Sequence, residues 1–596
     1  MEKVNGRKLS LIFIFILILL VIALLVGKLT FSYLGPTLGE DLSNEGEVTA
    51  SGDTLIFTKG SNLSLSATTD NFQTGGSNLS STTNPKVRLI ASSKTNSASA
   101  TYYVGVVINS NSYTYTTSDN TAEVILTIKD ENGNNVTSGV DGLTYVTSGG
   151  VSGFDVTNKN GLFNVKTDYP ISTTSSSTGT THTWTFTLTF VNLGTDQSDN
   201  ENASMDLDIY LQKTKVPTTV AEVCASGDNL ADCIVNLSNK SSAGATKIYY
   251  HDGTLKNGIN DDSYRYAGGD YKLTEKATSL GIQYVYIGSY EEENYLIKLG
   301  NYYTLQYDTT IKLYSYKNAL EKAITDGYLT SDNVKNFVCF GSDVNPCPSD
   351  NLYRIIGVID GKVKLIKFDY MTAEELGTDG ARNSIIDGDW YGFREYYRGL
   401  KEINDISIYA RNNECENNAW SESLLNTINL NTNYINNIGS TWAEKIATTT
   451  WKVGDINLTN IYSVTPSVAY TNEITNPQFY KYSDGETEYS AKIGLMYISD
   501  NVFAAVPDEW TSTIARYISK DINVNWMNMG IDEWTITRNL RKNDITFGAC
   551  VNTWGRFSCG RNEACMPNPV RAVFNLESSV SYVSGSGTMS DPIIIN

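Results

Sequence analysis

Leu9 to Val26 form an apolar run broken only by Ser10, with Lys3, Arg7 and Lys8 on its amino side. As a helix rising about 1.5 Å per residue, the run spans roughly 27 Å, enough for a bilayer core. Flanking positive charge stays on the cytoplasmic side. The expectation is a single-pass membrane anchor over 9–31, a cytoplasmic tail over 1–8, and everything beyond about residue 32 outside the cell. A cleaved signal peptide is the competing reading. Its apolar region is shorter and ends at a small-x-small site, whereas this run leads into Gly-Lys-Leu-Thr-Phe-Ser-Tyr. Either reading exports the remainder.

A chain of 596 residues exceeds one hydrophobic core and suggests about three or four domains. Charged residues make up 18%, below the usual ~25%, and Ser, Thr, Asn, Gly and 38 tyrosines take their place. That profile predicts sheets joined by many turns. The net charge of −20 includes no basic stripe, which argues against nucleic-acid partners. His182 and His251 are the only histidines, so triad hydrolysis and zinc chemistry are disfavoured. No nucleophile elbow, HExxH or phosphate-binding loop is present. The chain reads as a binding protein with no catalytic set, although a pair of carboxylates would suffice for an enzyme.

Eight cysteines lie beyond the anchor, and an exported chain permits disulfides. Cys224 with Cys233 and Cys339 with Cys347 are close enough in sequence to close locally. Cys415, Cys550, Cys559 and Cys565 allow two further pairs in an order that spacing does not decide. Free thiols are the alternative. No CxxC-like pair exists for zinc, and no metal site is expected.

After a linker over 32–50, residues 51–214 show short alternating strands. In Thr181–Val191, Trp184, Phe186, Leu188 and Phe190 alternate with threonines; in Met205–Leu211 the alternation is with Asp206, Asp208 and Tyr210. Ala100–Asn109 and Ala122–Lys129 are more apolar, as inner strands are. A β-sandwich is the expectation. Asp130–Asn135 has part of a calcium-loop pattern but Asn135 where glycine is needed, so a hairpin turn is preferred; the acidic loop Asp196–Glu201 is a weaker calcium candidate. An apolar leader running into a Thr/Asn-rich sandwich resembles the exported TasA-like and camelysin-like proteins of Gram-positive bacteria. That resemblance implies a stalk or fibre-forming role.

Residues 215–336 read as a connector or small subdomain, with a strand at Gln283–Gly288, a short helix at Ala319–Ile324 and a turn-prone patch at Tyr264–Gly268. Residues 337–596 read as an α+β domain. A hairpin is predicted from Tyr353–Ile359 and Lys362–Phe368 around Asp360-Gly361. Leu424, Leu425, Ile428, Tyr434, Ile435, Ile438 and Trp442 suggest two short helices, and Ala491–Ser499, Glu533–Thr537 and Val570–Leu576 suggest strands. Asn351–Phe368, Trp420–Leu425, Ile493–Ser499, Glu533–Arg538, Val570–Leu576 and the closing Gly/Ser segment resemble, in that order, an uncharacterised domain of surface proteins from gut Gram-positive bacteria. That domain is in turn distantly similar to C-type-lectin-like and sulfatase-modifying folds, which implies long loops displaying a binding surface. Val506-Pro-Asp-Glu509 does not supply the lectin calcium triplet, and no cysteine matches the oxidase motif.

The segment 539–569 lacks strand periodicity and holds Trp554, Arg556, Phe557 and Arg561, residue types enriched at binding hot spots. It is the expected recognition surface, for a glycan or a host or bacterial surface protein; the bland reading makes Trp554 and Phe557 core. Arg538 and Arg571 are expected to make structural hydrogen bonds, and Trp526 and Trp534 to be core. The reading as a whole is an anchored extracellular adhesin or ligand-binding protein. The alternatives are a structural surface protein assembling through the sandwich or an enzyme of sulfatase-modifying-like fold.

Overall fold

The computed structural model describes residues 46–50, 53–72, most of 76–274, the strands 282–286 and 296–299, most of 327–377, 420–456, 463–477, 487–514, 525–528, 533–539, 550–551 and 570–596. The expected anchor 9–31 and all but Ile324 of the helix expected at 319–324 lie outside this description. No helix among the described residues is long and apolar enough to cross a membrane. The protein is multidomain and mostly sheet, and divides into two compact units.

The N-terminal unit, up to Val216 with 239–245, contains three antiparallel sheets. One orders Gly46–Ala50, Asp53–Thr58, Lys86–Ile90 and Thr180–Thr183. The second orders Gly161–Thr173, Ala98–Asn111, Ser204–Gln212 and Leu63–Ser66. The third orders Leu79–Thr83, Thr185–Phe190, Val124–Lys129, Val151–Asp155 and Tyr145–Ser148. The first strand begins at Gly46, inside the stretch expected as linker, because it pairs with Asp53–Thr58. Period-2 alternation places Trp184, Phe186, Leu188 and Phe190 in one core with Met205, Leu207, Val104 and Val106. Asp130 forms a turn: its Oδ1 accepts the Asn132 and Asn134 N–H groups, and Gly133 has φ +78°.

Glu123, just before the strand Val124–Lys129, is fully buried. Its Oε1 accepts from the Thr116 N–H and hydroxyl, and its Oε2 from Gln197 Nε2 at 2.7 Å and Asn200 Nδ2 at 2.8 Å. One side chain thus ties together two loops, the one holding Thr116 and the one holding Gln197 and Asn200, and accepts from four of their donors.

The C-terminal unit, 217–238 with 246–596, is built on a nine-stranded mixed sheet. Its main path runs Ile493–Gly494, Val573–Asn575, Lys362–Lys367, Leu352–Ile359, Phe337–Cys339, Ile593–Ile595 and Tyr582–Ser584. The hairpin forms where expected, with Asp360 (φ +51°) and Gly361 (φ +71°) giving the left-handed turn that two-residue hairpins need.

Two expectations change here. From the stretch 215–336, expected as a connector or small subdomain, Ile248–Asp252 and Asn260–Tyr266 join this sheet. Tyr264–Tyr266 is therefore strand rather than turn. Gly357 permits the pairing, because a Cβ there would stand 2.3 Å from the Tyr264 carbonyl oxygen. The run Ala491–Ser499 is also not one strand. Glu488–Ala491 pairs with Thr449–Lys452, Ile493–Gly494 joins the main sheet, and a helix Ile498–Phe503 follows. Asp500 starts that helix by accepting the Tyr497 N–H.

The helical stretch after Trp420 is a π-helix, Leu425–Tyr434. Its wider turn buries Leu425, Leu430 and Tyr434 and leaves Ile428 only half-buried. Asn426 and Asn429 turn inward in its place, donating to the carbonyls of Trp420 and Leu376.

Candidate functional site

The sequence singled out cysteines, and two pairs close. Cys224–Cys233 and Cys339–Cys347 are disulfides with Cα–Cα distances of 5.7 and 5.9 Å, within the range such bonds allow. Asp228 stands with Cys224 and Cys233 as a possible ligand trio, but both sulfurs are consumed by the bridge and no thiolate remains for a metal. Cys415, Cys559, Cys565, Trp554, Arg556, Phe557 and Arg561 lie outside the described residues, as does most of 539–569. Cys550 is described only as part of the short strand Cys550–Val551, which pairs with Glu533–Trp534. Trp526 and Trp534 are buried core, and buried Arg571 donates to the Met527 carbonyl at 2.8 Å.

The N-terminal unit carries an open groove of about 890 Å³. Ser172 and Thr180 offer hydroxyls to it, Glu131 and Lys213 carry opposite charges, and His182 faces it. Behind His182 runs a hydrogen-bond chain. Trp184 Nε1 donates to the Tyr102 hydroxyl at 2.8 Å, and that hydroxyl meets His182 Nδ1 at 2.9 Å. The Tyr102 hydroxyl donates to Nδ1 or accepts from it according to the His182 tautomer, and in either case the Trp184 indole bond holds the phenol in place. Burial pushes the His182 pKa down, so the ring is neutral at pH 7. Tyr169 donates to both oxygens of Glu131, at 3.0 and 2.9 Å, and burial followed by that hydrogen bond lifts the phenol to about 12. The groove presents hydroxyls, one cation and one carboxylate, and among its described residues no nucleophile is held against a base.

The C-terminal unit holds a cluster of charge that sequence reasoning missed. Arg265, Lys364, Glu473 and Asp500 are all buried. Asp500 Oδ1 accepts from Arg265 Nη1 at 3.3 Å and Oδ2 from Lys364 Nζ at 2.6 Å. Arg265 Nη2 also pairs with Asp261 at 2.9 Å. Glu473 accepts the Ile498 and Ser499 N–H groups and the Thr537 hydroxyl. Burial, opposed by the hydrogen bonds from Ser499 and Thr537, raises its pKa to about 7. Burial likewise lowers the Lys364 pKa against the pull of Asp500. The strand Lys362–Lys367 is buried on both faces after its first residue, which takes Lys364 into the interior.

No family model matches the chain, and no curated protein matches it. Among solved structures, a GlcNAcα1-4Gal-releasing endo-β-galactosidase from Clostridium perfringens aligns with 56% of this chain and 82% of its own, at 8% identity and a TM-score of 0.11. A likeness at that level carries no argument.

Proposed function

We propose that the chain is a membrane-anchored surface protein, oriented with its N-terminus in the cytoplasm, whose extracellular β-sandwich and α+β domains bind a polyhydroxylated ligand such as a surface glycan. The groove of the N-terminal unit is the observation that carries the binding. Its volume lies in the range of ligand sites, and hydroxyls beside one cation and one carboxylate match a sugar's donors and acceptors. Export is supported by the apolar run at 9–26 and by two closed disulfides, bonds that persist in oxidising compartments. The segment 539–569, with Trp554, Arg556, Phe557 and Arg561, is a second candidate surface under the same reading.

The test is a glycan screen on cells displaying the full chain, with and without chelator. Lys213→Ala with His182→Ala is expected to abolish binding while leaving surface display intact. Loss only on Trp554→Ala with Arg556→Ala would move recognition to 539–569. A chain that captures nothing sinks the binding reading. Protease added to intact cells is expected to remove the bulk of the chain.

A further inference from the structure

Lys364 and Asp500 are 136 residues apart in sequence, one on the strand Lys362–Lys367 and the other in the first turn of Ile498–Phe503. Lys364 Nζ stands 2.6 Å from Asp500 Oδ2, with the two side chains 6% and 1% exposed. The rings of Tyr497 and Trp451 lie 4.6 and 5.6 Å from the amine and shield it from water. Surface ion pairs are common; a lysine and an aspartate held dry and in contact across two elements are not.

We propose that Lys364 and Asp500 condense into an intramolecular amide, cross-linking the central sheet to the helix Ile498–Phe503. The proton count of the ion pair already matches the reaction. One proton passes from Nζ to Oδ2 along their hydrogen bond, giving a neutral amine and a neutral acid. The Nζ lone pair then attacks Cγ and the N–C bond forms. The charge that develops on Oδ1 is met by Arg265 Nη1, 3.3 Å away, as an oxyanion donor. A second proton moves from nitrogen to Oδ2, the Cγ–Oδ2 bond breaks, and one water leaves. No co-reactant is required.

The surroundings favour each step. Desolvation makes the amine available, as it does for other buried lysine nucleophiles. Glu473, neutral up to about pH 7, adds no competing negative charge beside the amine. Fixed contact replaces the entropy cost of bringing the groups together. Condensation also removes the buried charges of Lys364 and Asp500 and leaves Arg265 paired with Asp261 at 2.9 Å.

Mass spectrometry of the full chain tests this directly. The folded protein is reduced, alkylated and digested with trypsin. The expected product is a branched species equal to Val363–Lys367 plus Ile493–Arg516 less one water, with linear Ile493–Arg516 lost. Lys364→Arg keeps the charge but supplies no amine that condenses, and is expected to restore the linear peptide. Recovery of linear Ile493–Arg516 from the folded natural chain, with cleavage after Lys364, overturns the proposal. So does a branched species that survives Lys364→Arg.

Discussion

Arg354 holds Asp270 by two parallel hydrogen bonds, Nη1 to Oδ2 at 2.5 Å and Nη2 to Oδ1 at 2.9 Å, inside the C-terminal unit. The guanidinium also lies against the rings of Phe337 and Trp526, at 4.2 and 4.5 Å, and its Nε donates to Asn336. Asp270 in turn accepts the Val334 N–H. The pair fastens the strand Leu352–Ile359 to the chain that follows Asn260–Tyr266. This is a further reason why those residues belong to the sheet and do not hang between domains.

Removing one partner leaves the other charged and buried. Asp270→Ala is expected to destabilise the C-terminal unit by about 3–5 kcal/mol, and adding Arg354→Met is expected to recover part of that loss. Urea denaturation of the natural chain, the single variant and the double variant measures both. A double variant no more stable than Asp270→Ala would contradict this account.

Glu473 makes stability depend on pH in a direction unusual for a carboxylate. Its folded pKa, about 7, lies above the unfolded value, so the folded state binds the extra proton between roughly pH 4.5 and 7. Stability from this group therefore falls as pH rises through that window and levels off above it, by a total on the order of a few kcal/mol. Glu473→Gln mimics the protonated acid. The stability gap between natural chain and variant is expected to shift in favour of the variant from pH 5 to pH 8; a gap independent of pH would show that Glu473 does not titrate there.

Thr185–Phe190 was legible because alternation marks its two faces, and the Asp360-Gly361 hairpin because of its turn chemistry. The charge cluster was not legible, because Lys364 sits in a strand buried on both faces, where alternation no longer separates inside from outside. Its partners Asp261, Glu473 and Asp500 come from distant parts of the chain, and no spacing rule links them. The π-helix at Leu425–Tyr434 escaped for a similar reason, since a 3.6-residue template assigns Ile428 to a face that the wider turn gives to Asn429. Cysteine pairs at short separation were readable, as local loop closure predicts.

The two disulfides constrain short loops, so each is expected to contribute about 2–3 kcal/mol. Cys339→Ser with Cys347→Ser releases the turn between Phe337–Cys339 and Leu352–Ile359. The oxidised variant, with Cys224 and Cys233 still paired, is expected to melt between the oxidised and the fully reduced natural chain. Equal melting of oxidised and reduced chains would mean that neither loop is held by its bridge.

Glu123 supports the N-terminal unit by a different device, a buried carboxylate served by neutral donors instead of a cation. Glu123→Ala removes the acceptor of the Thr116 N–H and hydroxyl and one of the two bonds made by each of the Gln197 and Asn200 amides, which keep the Val191 and Thr114 carbonyls. At about 1–3 kcal/mol for each donor left unsatisfied, less whatever water enters, the loss is expected to reach about 3 kcal/mol or more. Glu123→Gln keeps the shape but sets an amide N–H₂ against existing donors, so it is expected to cost nearly as much; a rescue by glutamine would show that shape and not acceptor capacity matters. Hydrogen exchange at the Val124–Lys129 amides reads the effect, because that strand pairs with Thr185–Phe190 at the centre of its sheet and opens only when the unit does.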